Sequence, residues 1–322
     1  MSISDKFYEI LETQKLKPNT IKNYISQLNM LIVLFKSDNN LNFIKYPEQT
    51  ILKIEETYSN IGSISNKISL ILSIIKYMYP DNKPYKIYGD KYTIYRNKLS
   101  TEITNEYKKQ VATPDQIEKS ISPQENDKIK FELLKLLKYS IKTKKDIESI
   151  RNYLLYMLFD TLNTRTDIAI SKFVLFKPNF KYNNDYNYIV LDKSNEISNI
   201  YYMQNNYKTE GAYKQKTLKI DNSLYKLFLK LYNAYKKFNV KSGFVFYQDD
   251  LKNPLNEDNT SKLYKRIGEL TINKPISIQI MRIQKSSNDY EANEALKTKA
   301  QNMGHSLITH TGIYSKKNIS KI

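Results

Sequence analysis

Apolar positions in the first third of the chain recur at three- and four-residue steps, the period of a helix with one buried face. Ile21, Tyr24, Ile25, Leu28, Leu31, Ile32 and Phe35 form one such face, opened by the cap signal Pro18-Asn19-Thr20. A shorter helix is expected over 48–58. Ile68, Ile71, Leu72, Ile75 and Met78 mark a third, stopped by Pro80 and Pro84. Tyr88, Tyr92, Tyr95, Leu99 and Ile103 mark a fourth, running toward Lys108. The pattern predicts a small four-helix domain over 1–110, with its tyrosine stripe serving as core and groove edge. Polar residues with Pro114 and Pro123 then interrupt the period. The domain junction is placed near 110, leaving 111–322 as a second domain.

That second part reads as mainly α with a small antiparallel β-sheet. A helix is expected from about 128 to 139, then a lysine-rich loop over 142–145. The helix predicted over 146–162 carries Ile150, Tyr153, Leu154, Met157, Leu158 and Leu162 on one face. It ends at Asn163-Thr164-Arg165, which puts Arg165 at a corner. Thr166 or Asp167 can cap a further helix through Ile168, Ile170 and Phe173. Stretches 186–191, 200–207 and 217–220 are rich in β-branched and aromatic residues and read as strands with turns between them. Helices are expected again over 223–238, 260–270, 278–285 and 291–303, with a short apolar strand or buried turn at Phe244-Val245-Phe246. No internal repeat is visible.

Charge changes this picture from a fold to a partner. The formal net charge is +18 over 322 residues, with a sequence pI near 9.5. Residues 1–110 hold 16 Lys+Arg against 11 Asp+Glu, and residues 111–322 hold 35 against 22. Both parts are basic, so a surface for a polyanion, double-stranded DNA first among them, can span them. There is no cysteine and there are two histidines, which rules out disulfides, thiolate chemistry and Cys- or His-rich metal sites. No apolar run reaches membrane-spanning length and no signal-peptide pattern opens the chain, so no membrane role is expected and an intracellular location is. Only Arg96, Arg151, Arg165, Arg266 and Arg282 are arginine; the other 46 basic residues are lysine. Where such a chain keeps arginine, the planar fork is expected to matter.

The candidate chemistry lies near the C-terminus, in Met303-Gly304-His305-Ser306 and Tyr314. His305 and His310 are the two histidines, and Tyr314 follows His305 by nine residues. On one continuous helix those nine residues, at roughly 100° each, would put His305 and Tyr314 on opposite faces. Gly304 suits a helix stop and Gly312 a bend, which allows both side chains to reach one site. A phenol beside an imidazole suggests a tyrosine nucleophile.

Together these stretches resemble the tyrosine recombinase (phage-integrase-like) family. The family's last box looks like Leu-Gly-His-Ser with the nucleophilic tyrosine nine residues after the histidine, and Met303-Gly304-His305-Ser306 with Tyr314 is similar to it. Thr161-Leu162-Asn163-Thr164-Arg165 resembles a diverged Thr-Gly-Leu-Arg corner. Gln279-Ile280-Met281-Arg282 falls on the His-x-x-Arg box, with Gln279 in place of the usual His or Lys. The hairpin lysine is best matched by Lys208 in Lys208-Thr209-Glu210-Gly211, with Lys214 and Lys216 as fallbacks. Asp167 stands two residues after Arg165, where the family's acidic residue usually stands three after. The resemblance covers about 150–322 closely. It is looser over 1–110, where Pro18-Asn19-Thr20-Ile21 and Tyr24 are similar to the start of a helical core-binding domain.

The resemblance implies a SAM-like clamp domain over 1–110 and a DNA breaking–rejoining domain over 111–322. It also implies Tyr314 as nucleophile, Arg165, Arg282, His305 and Gln279 at the phosphate, and Lys208 as general acid. It implies no metal and no ATP, a homotetramer on paired DNA sites, and a mobile element or virus as the setting. Two other functions fit the same residues: a type IB topoisomerase, and a DNA-binding protein of this fold weakened in catalysis by Gln279. The topoisomerase family tends to place Ser-Lys before its nucleophile, whereas Ser315-Lys316 follow Tyr314 here.

Overall fold

The computed structural model describes all residues except 15, 17, 38–39, 110, 176–179, 194–197, 207–214, 241–242, 289–292 and 305–322. The chain divides into two compact units, Met1–Lys108 and Lys109–Ile322.

In the first unit the described helices are α1 (Ile3–Thr13), α2 (Pro18–Leu34), α3 (Pro47–Thr57), α4 (Ile61–Met78) and α5 (Lys83–Lys109). The expected four-helix bundle thus gains α1, which opens on a capping box between Ser2 and Asp5. Its buried face is only Phe7 and Leu11, a period too short to stand out in sequence. Leu28 and Leu31 of α2, Ile54 of α3, and Ile68, Ile71 and Ile74 of α4 close the core. Of the tyrosine stripe on α5, Tyr92 is fully buried and Tyr88 and Tyr95 pack against its rim, so the stripe is core and edge.

The second unit contains α6 (Pro114–Glu118), α7 (Pro123–Lys135), α8 (Lys144–Leu162), α9 (Tyr225–Lys237), α10 (Glu257–Ile272), α11 (Ile278–Asn288) and α12 (Asn293–Asn302). The helix expected over 128–139 starts earlier and stops earlier. Ser122 caps it with Glu125 in a reciprocal box and Pro123 occupies the first turn, so a proline read as an interruption is in fact the start signal. Its last turn is over by Leu136, and Tyr139 is fully exposed.

The sheet has the order β1-β2-β3-β4, with β1 (Lys172–Leu175), β2 (Tyr188–Asp192), β3 (Asn199–Gln204) and β4 (Lys216–Ile220). β2, β3 and β4 pair antiparallel, as the hairpin pattern predicted. β1 joins in parallel beside β2, making the sheet mixed. The helix expected through Phe173 is therefore replaced by a 3-10 turn over Thr166–Ile170 followed by a strand. Parallel pairing leaves no local hairpin signal, because the partner strand lies beyond a crossover. The 244–246 stretch forms bridges rather than a full strand: Phe244 pairs with Lys172, and Tyr247 with Pro254. Leu154, Leu155, Leu158 and Phe159 of α8 pack with Ile189 and Leu191 of β2, Ile200 and Tyr202 of β3 and Phe228 of α9 in one core. That core is the platform from which the end of α8 projects.

Candidate active site

Helix α8 ends on Asn163 in the left-handed region, at φ +53°. Asparagine tolerates that conformation better than other residues with a side chain, which lets it stand where the resembling corner has glycine. The reversal turns the backbone out into extended geometry at Arg165 (φ −82°, ψ 175°), the residue that opens the following 3-10 turn. Arg165 Nε donates to the Met303 carbonyl oxygen at 3.1 Å. Met303 lies at the end of α12, and Gly304 leaves that helix at φ +68°, the helix stop its sequence context predicted.

Arg282, on α11, is buried to 7% exposure. Both Arg165 and Arg282 act electrostatically on the Asp167 carboxylate. Burial pushes the Asp167 pKa up; the hydrogen bond from Gln204 and the two arginine charges oppose that rise without cancelling it. Gln204 Nε2 donates to Asp167 Oδ2 at 2.8 Å. Among the described residues Asp167 Oδ1, Gln204 Oε1, Tyr202 Oη and Thr164 Oγ1 are buried with no hydrogen-bond partner. Asp167, which feels both arginine charges, and Gln204, its hydrogen-bond partner, each carry one such atom.

Lys216 enters the same corner. It sits directly opposite Gln204 in the β3–β4 register, and directly opposed residues share one face of the sheet. Its ammonium is withdrawn from water, and burial lowers its pKa from the ordinary value of 10.5. Of the three lysines considered for the hairpin, Lys216 is the one among the described residues; Lys208 and Lys214 lie outside them.

The structure therefore brings the charges of Arg165 and Arg282 to bear on Asp167 and sets Lys216 opposite Gln204. It does not bury Gln279 with them: Gln279 is exposed in the first turn of α11, one turn before Arg282. His305, His310, Gly312 and Tyr314 lie outside the described residues, and the described chain ends at Gly304, immediately before His305. Asp167 was matched in the sequence to the acidic residue of the resemblance, one position out of step, whereas Gln204 went unassigned. The available signal was Gln204 itself, an uncharged polar residue on the inward phase of a strand that alternates between partly and fully buried positions. Among the described residues no group of three His, Cys, Asp or Glu could hold a metal ion, and no helix is long and apolar enough to cross a membrane.

No protein-family model matches the sequence, and no curated protein matches it. Among solved structures the chain is similar to XerA recombinase, at 11% identity over 98% of this chain and 94% of that one, with a TM-score of 0.43. It is similar to a lambda integrase dimer bound to a COC' core site, at 13% identity over 96% of this chain and 76% of that one, with a TM-score of 0.49. It is also similar to XerH site-specific recombinase bound to difH substrate, at 13% identity over 98% and 91%, with a TM-score of 0.46. All three are recombinases or integrases.

Proposed function

We propose that this chain is a site-specific tyrosine recombinase that cuts and rejoins double-stranded DNA through a 3′-phosphotyrosine intermediate. The observation that supports it best is the meeting of Arg165 and Arg282 at Asp167, with Arg165 tied to Met303 just ahead of His305. Phosphodiester transfer gathers negative charge on the non-bridging oxygens, and two guanidinium forks neutralise it with fixed geometry. His305 adds a donor there. Gln279, exposed and uncharged, contributes a hydrogen bond at most.

Tyr314 gives up its proton to water, the phenolate being favoured by neighbouring cations, and attacks phosphorus, forming the tyrosyl O–P bond while the P–O5′ bond breaks. The departing 5′ oxygen takes a proton from a lysine. The resemblance favours Lys208 in that role. The β3–β4 register, which sets Lys216 opposite Gln204, and the burial that lowers its pKa support Lys216 as the fallback donor. The phosphotyrosyl ester conserves the bond energy, so rejoining by the 5′ hydroxyl uses neither metal nor ATP. Unit 1 acts as the DNA clamp and unit 2 as the catalytic domain, in a homotetramer on paired sites, working inside a cell on the DNA of a mobile element or virus.

The test is trapping on a nicked duplex from which the short fragment bearing the new 5′ hydroxyl diffuses away after cleavage. Wild-type protein should form a covalent adduct and Tyr314→Phe none; an adduct at wild-type yield in Tyr314→Phe would falsify the assignment. A supercoil-relaxation assay run beside strand exchange on paired sites separates a recombinase from a topoisomerase.

A further inference from the structure

Residues 112–121, which include α6, form a strap within the second unit that lies beside α11, the helix bearing Arg282. Ala112 is buried in a small cluster with Ile280 and Ile283 of α11 and with Met303. Nine residues later the Ile121 N–H donates to Gln284 Oε1 at 2.9 Å, and Gln284 Nε2 donates back to the Ile121 carbonyl at 2.7 Å. Both residues are buried. Between these points the Ser120 carbonyl accepts from Lys274 Nζ, just upstream of the same helix. The strap thus touches the supports of both arginines: α11 under Arg282, and Met303, whose carbonyl holds Arg165.

Gln284 follows Arg282 by two positions, so at roughly 100° per residue the two side chains leave the helix about 200° apart. One faces the phosphate corner while the other pins the back of the helix. The apolar contacts of Ile280 and Ile283 tolerate sliding, and the Lys285–Asp160 ion pair at 2.8 Å constrains a single point. A paired donor and acceptor, met by one backbone N–H and C=O, fixes both rotation and register. Glutamine supplies both from one side chain of this length; glutamate lacks the donor and lysine the acceptor.

We propose that Gln284 is a positioning residue: by clasping Ile121 it locks α11 to the strap and sets Arg282 in place at the phosphate site. Its effect on cleavage rests on the proposed recombinase activity; its effect on Arg282 does not.

The test uses full-length Gln284→Ala and Gln284→Glu, the latter keeping size while losing the donor should the alanine variant fold poorly. Reaction with phenylglyoxal, read residue by residue by mass spectrometry, reports how well Arg282 is held, with exposed Arg266 and buried Arg151 as internal references. Arg282 should react about five-fold faster in either variant, as local opening of α11 predicts, with Arg151 unchanged. Adduct formation should fall roughly 10²-fold on a phosphodiester. It should stay near the wild-type rate on a methylphosphonate, whose neutral centre has less need of the arginine. Arg282 staying as protected as in wild type overturns the proposal, and so does an equal fall on both substrates, which would mark general loosening. If wild-type protein forms no adduct, the recombinase reading fails, while the reagent still decides the role of Gln284.

Discussion

Arg165 Nε and the Met303 carbonyl oxygen are 3.1 Å apart across 138 positions of sequence. The bond ties the corner after α8 to the end of α12, two elements far apart in sequence. It also fixes the plane of the guanidinium, and orientation of that plane is what a fork needs in order to grip a phosphate.

Arg165→Lys and Arg282→Lys should each reduce adduct formation by about 10²-fold or more, because an ammonium keeps the charge and loses the two-pronged geometry. DNA affinity, measured by fluorescence anisotropy over a salt series, should change far less. A lysine variant that cleaves at wild-type rate would show that charge alone suffices.

Asp167 gives a pH signature. Its folded pKa is raised above the ordinary 3.8, chiefly by burial. A carboxyl shifted upward contributes stability that is present below 3.8 and is lost as pH rises through its folded pKa. Asp167→Asn removes that loss. Urea unfolding at a series of pH values should show the wild-type free energy falling relative to the variant as pH rises from 4 toward neutrality. Parallel curves would mean the carboxyl is not shifted upward.

Asp249 behaves in the opposite sense. Burial alone would raise its pKa, but hydrogen bonds from Arg266 and Arg151 and their charges prevail and hold it below 3.8. The Arg151 side chain is 2% exposed and meets Asp249 at 2.9 Å. Asp249→Asn should cost roughly 2 kcal/mol in denaturant melts, less than a fully buried pair because Asp249 itself is half exposed. The wild-type advantage should disappear as pH falls below about 4.

Lys67 is a cation held in the core of the first unit at 4% exposure, with the Met30 sulfur at 3.4 Å and the Tyr58 ring as its neighbours. Burial lowers its pKa, so keeping it charged opposes folding at neutral pH. Lys67→Met should stabilise this unit by on the order of 1 kcal/mol, visible as a raised melting temperature. A lower melting temperature would show that the ammonium is favourable where it lies.

Gly268 lies in α10 under the turn that leads to α11. A methyl group there would meet the Lys274 carbonyl and, at 2.8 Å, both Ile276 Cγ atoms. Gly268→Ala should cost about 1–3 kcal/mol through overpacking. It should also disturb the approach to the Arg282 helix, read as faster amide exchange over 274–288.

The residues that announced themselves in sequence were those whose chemistry is scarce in this chain. Arg165 and Arg282 stood out among 46 lysines, and Gly304 stood at a helix end. The helices of the second unit with long apolar faces, such as α8, were legible for the same reason their cores are continuous. What escaped depends on contacts distant in sequence. β1 needs β2 beyond a crossover, Gln204 needs Asp167 from another element, and Gln284 needs a backbone 163 positions away. None of these leaves a periodic trace, because the partner rather than the neighbourhood gives the residue its role. Asn163 was read as the end of a helix, yet its left-handed backbone, which aims Arg165, has no sequence marker beyond the residue's tolerance for it.

The mixed sheet has a consequence for crowding. Its β1 border is closed by the 243–245 segment: Phe173 N–H bonds the Gly243 carbonyl and Val245 N–H bonds the Ser171 carbonyl. Its β4 border carries exposed Lys219, and a charged border discourages a foreign strand from pairing. Among the described residues the sheet thus offers a second copy one border already bonded and another that carries charge, which leaves little template for strand addition.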